Sequence, residues 1–198
     1  MGSTNPVEAR APSYVLDAGM SRFLVKASAS GLLSAFGHNP TIAIRSFTGE
    51  AWFRPQSPEL SSLRIVIDAT ALVVTNDTND KDRREMERIM KEEVLETARF
   101  PQIRFDSSGI EANQIAPGMF GMKILGKLAL HGVERDVILP CNTTISDDRL
   151  RANGEFSIRQ TDYQIHLVTV AGGTLKLKDE LKFSFDLVGN RSREAFGD

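Results

Sequence analysis

Residues 175–187 alternate apolar and polar side chains almost without a break. Leu175, Leu177, Leu181, Phe183, Phe185 and Leu187 hold the odd positions, and only Asp179 interrupts them. Lys176, Lys178, Glu180, Lys182, Ser184 and Asp186 fill the even ones. Successive side chains of a strand point to opposite faces, so this segment reads as a long antiparallel strand with one dry and one wet face. A strand of this kind has to cover something apolar. What it encloses is the functional question.

The same alternation recurs along the chain. Residues 21–29 set Phe23, Val25 and Ala27 against Arg22, Lys26 and Ser28, and residues 44–53 set Phe47, Gly49, Ala51 and Phe53 against Ser46, Thr48, Glu50 and Trp52. Residues 61–69 offer Leu63, Ile65 and Ile67, and residues 102–107 offer Ile103 and Phe105. Residues 119–130 put Phe120, Met122, Ile124, Gly126, Leu128 and Leu130 on one face, opposite Lys123 and Lys127. Residues 133–141 and 149–159 complete the set, and a short strand at 14–17 opens it.

One segment keeps a different period. In residues 80–98, Met86, Ile89, Met90, Val94 and Ala98 recur at helical spacing, which predicts an amphipathic helix between strands three and four. Asn79 or Asp80 can cap it, Glu87 and Lys91 are placed as an i,i+4 pair, and Pro101 stops it. The remaining connections are short and turn-like, as at Ala116-Pro117-Gly118 and His131-Gly132. Short links between consecutive antiparallel strands make a meander. Eight such strands close most economically into an all-β, antiparallel, up-and-down barrel, which leaves no edge exposed. A two-sheet sandwich is the alternative.

The 198 residues suit a single domain, read here as 14–190 behind a flexible tail of 1–13. A net charge of −2 gives no electrostatic case for nucleic acid or an anionic membrane. Cys141 is the sole cysteine, so no internal disulfide forms and the thiol reads as a small core hydrophobe. Residues 1–13 lack the apolar stretch of a secretory leader, and no apolar run is long enough to span a bilayer. The expected compartment is the cytoplasm, or the periplasm if a leader has been removed.

An eight-stranded barrel either fills with its own side chains or holds one small ligand. The inward set mixes aromatics with small residues. Phe23, Val25, Phe47, Ala51, Ile65, Phe105, Ile124, Gly126, Leu128, Ala152, Phe156, Phe183 and Phe185 are the expected ligand-binding wall. Such a wall suits a long apolar molecule held by area burial, worth about 0.8 kcal/mol per buried CH2. A filled barrel acting as a scaffold or protein-interaction module is the other reading. Arg45, Arg135 and Asp179 share the inward parity near strand ends, and Arg45 with His38 is placed to meet a polar head group at one rim. His131 and His166 read as turn residues, since no histidine is spaced as a metal site. No nucleophile elbow, phosphate loop or dinucleotide fingerprint appears, and Ala171-Gly172-Gly173-Thr174 precedes a strand rather than a helix. The expectation is no enzyme activity, no metal and no cofactor.

Four blocks carry a family resemblance. They are Tyr14-Val-Leu-Asp17 with Ser21-Arg-Phe-Leu-Val25, then residues 98–105, then Leu125–Val137 containing Leu-x-x-His-Gly-Val, then Phe156–Ile165. Over about residues 14–188 the chain resembles the YceI-like family of bacterial lipid-binding proteins. That resemblance implies a lipocalin-like barrel with an inserted helix, and a carried polyisoprenoid, polyprenyl quinone or fatty-acid-like lipid. The implied partner is therefore a long-chain apolar ligand, with no nucleic acid and no membrane span, and a homodimer is left open.

Overall fold

A computed structural model describes residues 12–30, 39–76, 78–146, 148–170 and 175–192. His38, most of the expected tail and the Ala171–Thr174 turn lie outside them. β1 (Ser13–Leu16) and β2 (Arg22–Ser30) act as one stave, pairing successively with the C-terminal end and the middle of β12 (Leu175–Arg191). β3 (Thr41–Ala43) and β4 (Phe47–Trp52) form the second stave, against β2 and β1. β5 (Ser62–Asp68) and β6 (Val73–Val74) form the third. β7 (Gln102–Ala116), β8 (Met119–Leu130), β9 (Val133–Ser146) and β10 (Arg149–Arg159) pair in chain order. β10 pairs β12, and β12 returns to β1 and β2, so the sheet closes on itself. β11 (Thr169–Val170) lies beside the start of β12. This is the closed, eight-stave, antiparallel barrel that the alternation predicts.

The staves run longer than the alternation shows, because irregularities reverse its parity. In β7 the pairing with β8 shifts between Ser107 and Gly109. Phe105 is buried before the bulge and Ile110 after it, an odd position followed by an even one. An extra residue in one strand has this effect, so the expected end at 107 is where parity reverses and not where the strand stops. Between β3 and β4, Ala43 and Ile44 are buried, Arg45 and Ser46 are both exposed, and Phe47 is buried again. Arg45 therefore points outward, against the sequence expectation.

The helix is also built differently from the expected 80–98 span. α1 (Asp80–Ile89) is followed by a wider π-helical turn at Met90–Val94, closed by the Leu95 amide donating to the Met90 carbonyl. Asn79 caps the start, its side chain accepting from the Asp82 N–H at 2.9 Å. Glu87 does not hold Lys91 as expected. Its carboxylate accepts from the Val74 N–H at 2.9 Å and pins α1 to β6. The exposed face is tied by Arg88, which meets Glu85, Glu92 and Glu93 at 2.8–3.0 Å. The β8–β9 connection is a two-residue turn in which His131 and Gly132 both take positive φ, 52° and 74°. That is the primed hairpin geometry matching strand twist, and it accounts for the His-Gly pair in the family block.

Candidate functional site

The barrel encloses a cavity of about 300 Å³ that touches every stave. Its lining residues come from both ends of the staves, so the space runs along the barrel. One end lies beside the pairings of Ala116 with Met119 and of Ser146 with Arg149. There Phe53 and Phe120 pack edge to face at 5.1 Å, and Leu16, Trp52 and Leu150 contribute to the wall. At the other end Met86, Ile89, Met90, Val94 and Leu95 of the helical segment project onto the lumen, with Ile165, Val168 and Leu177 opposite. The helix is thus a cover. Its apolar stripe was visible in the sequence, but periodicity does not say what a stripe packs against.

Most of the expected wall is in place. Phe23, Val25, Ala51, Ile65, Phe105, Ile124, Leu128, Ala152, Phe156, Phe183 and Phe185 all line the cavity. Phe156 and Phe183 stack at 4.6 Å between centroids, and Phe23 meets Phe183 and Phe185 edge-on at 6.4 and 6.1 Å. Trp52, expected on the outside, is half-buried between the buried Ala51 and Phe53 and also borders the cavity.

Three expected residues sit elsewhere. Phe47 is buried beside the lumen, edge-on to Phe23 at 6.4 Å, but it does not face the space. Arg45 is exposed on the outer side of the β3–β4 kink. Gly126 faces inward and adds no room, because the Phe105 ring lies across it. A Cβ there would come within 2.5 Å of the Phe105 ring and 2.6 Å of the Asp106 carbonyl oxygen. Gly154 plays the same part for Phe185, whose ring would stand 2.8 Å from a Cβ. These inward glycines let large rings lie flat on the neighbouring backbone. The alanines, Ala27, Ala51 and Ala152, are the small residues that border open space.

Among the described lining residues none is ionisable to a full charge near neutrality. Cys141 is on the wall, and burial raises its thiol above the ordinary range. The few polar groups there are Ser61, Ser62, Thr143 and Gln160. Ser61 accepts from the Arg54 N–H at 3.0 Å, and Thr143 donates to the Met122 sulfur at 3.4 Å. Asp179 and Arg135 are both outside this wall. Asp179 accepts from the Thr161 N–H at 2.9 Å, the Thr161 hydroxyl at 2.7 Å and Arg159 Nε at 2.9 Å. Those bonds, the Thr161 backbone N–H foremost, pull its carboxyl down to about 2. Arg135 Nε donates to the Asp162 carbonyl at 3.1 Å. His131 packs on Phe100 at 4.7 Å, with Nδ1 3.2 Å from the Tyr163 carbonyl, as a structural turn residue would. No grouping of His, Cys, Asp and Glu among the described residues could hold a metal ion. No helix among them is long and apolar enough to cross a membrane.

A closed eight-stave barrel with an apolar lumen and a helical cover defines a lipocalin-like protein. The YceI-like domain matches residues 14–189, and the chain belongs to that family. BcnA of Burkholderia cenocepacia has a similar crystal structure, with TM-score 0.65 and 17% identity, covering 87% of this chain and 98% of BcnA. A polyisoprenoid binding domain from Saccharophagus degradans, implicated in plant cell wall breakdown, gives 0.62 at 16% identity over 90% and 98%. The YceI protein of Campylobacter jejuni gives 0.58 at 15% over 77% and 85%. No functionally curated protein matches the chain.

Proposed function

We propose that this protein binds a single long apolar chain, of the polyisoprenoid or a similar amphiphilic class, in the barrel lumen and carries or sequesters it. The observation that carries this reading is the incomplete burial of inward-facing residues. Ile103, Val137, Ala152, Phe156, Leu181 and Phe183 line the lumen, yet each retains accessible surface. In a barrel packed by its own side chains these positions would be sealed, because protein interiors tolerate few voids. An apolar chain entering the space would cover that surface and gain about 0.8 kcal/mol per buried CH2. The cavity volume stands at the lower end of the range of about 300–1,000 Å³ usual for ligand pockets, which favours one narrow chain over a bulky ring system. The Saccharophagus degradans domain, called polyisoprenoid binding, shares this fold and supports the choice of class.

Native mass spectrometry of protein purified from its own cells tests the reading. The expected result is a lipid-sized adduct that is lost on denaturation. A bare mass from several independent preparations, together with no uptake of added prenol by the protein, overturns it.

A further inference from the structure

Gln160 stands where β10 leaves the ladder and a 3-10 turn, Gln160–Tyr163, begins. Its residue is 3% exposed, and it is part of the lumen wall at the helix-covered end, together with Ile165 and Leu181. The side-chain Nε2 donates to the Lys178 carbonyl at 2.9 Å. Lys178 lies in the irregular stretch of β12 where pairing with β2 jumps between Leu177 and Leu181. A backbone carbonyl only accepts, so this bond settles which end of the amide is nitrogen. The remaining oxygen, Oε1, has no hydrogen-bond partner among the described residues, and it is not among the atoms sealed from all access. A fixed, unsatisfied acceptor in an apolar wall is costly to leave unpaired and calls for a donor.

The geometry points to Gln160 Oε1 as the polar anchor of the helix-covered end, selecting ligands whose head is a neutral hydrogen-bond donor. An alcohol, a hydroquinone, a primary amide or a protonated acid qualifies. A quinone offers only acceptors. A phosphate or carboxylate would set oxygen against oxygen, and no Lys, Arg or His among the described lining residues would compensate its lost hydration. This selection rests on the carrier reading above.

Farnesol and farnesyl methyl ether, which differ only in the donor proton, test it on the whole chain and on Gln160→Leu. In the wild type the alcohol binds at least as tightly as the ether, because Oε1 replaces the hydrogen bond the hydroxyl loses on leaving water. In Gln160→Leu the alcohol-to-ether preference moves toward the ether by on the order of tenfold, since one lost hydrogen bond is worth about that factor. A loss of the brace on Lys178 alone would weaken both probes equally and leave their ratio unchanged, and that result overturns the proposal. So does a wild type that binds the ether more tightly than the alcohol, an outcome readable even where the variant fails to fold. Failure of the wild type to bind either probe refutes the carrier reading itself, and the selection with it.

Discussion

At the scale of single residues, β8 shows how far alternation goes. Phe120, Met122, Ile124, Leu128 and Leu130 are buried as their parity requires, and Lys123 and Lys127 are exposed. Direction is therefore legible residue by residue wherever a strand stays regular. What fills the space in front of an inward residue is not, because that depends on cross-strand neighbours set by register. Ser107 stands opposite Gly126, and Phe105, two residues earlier, reaches over the glycine. Gly126→Ala is accordingly expected to destabilise the fold by about 1–3 kcal/mol, the usual cost of overpacking a filled site. Chemical denaturation reads this directly. A midpoint within error of the wild type would mean that Phe105 moves freely off the backbone.

At the scale of elements, the sequence conveyed the number of staves and the position of the helix, and it misjudged their ends. Alternation ends β7 at its bulge and points Arg45 inward across a kink, because each irregularity inverts every later side chain. Asp179 is the informative case in β12. As the one polar residue on the dry parity of residues 175–187 it looked like an exception, and the structure makes it the clasp between β12 and the turn that presents Gln160. Its carboxyl is lowered from 3.8 to about 2, so the folded state binds a proton there less readily than the unfolded chain. Its contribution is complete above 3.8 and disappears as pH falls toward about 2. Thermal melts of the wild type and Asp179→Asn should differ near neutrality and converge across that acid window. A gap that persists unchanged at the acid end would place the clasp's strength in something other than the ionised carboxylate.

At the scale of the whole molecule, closure leaves an interior that its own side chains do not fill, with aromatic rings at one end and a helix across the other. Ala152 borders open space in this lumen, whereas Gly126 does not. A phenylalanine at position 152 is thus expected to occupy the cavity while the barrel stays folded. Trp52, the only tryptophan of the chain, stands in the wall near the end where Phe53 and Phe120 pack edge to face. It reports directly on a chain that enters the barrel. The decisive measurement is quenching of Trp52 fluorescence by a long-chain alcohol brominated at several points along its length, in the wild type and in Ala152→Phe. Saturable quenching in the wild type, lost in a variant with an unchanged circular dichroism spectrum, is the result expected of a lumen that binds. Tight binding without quenching, or quenching that the folded variant retains in full, would contradict the placement of the ligand inside the barrel.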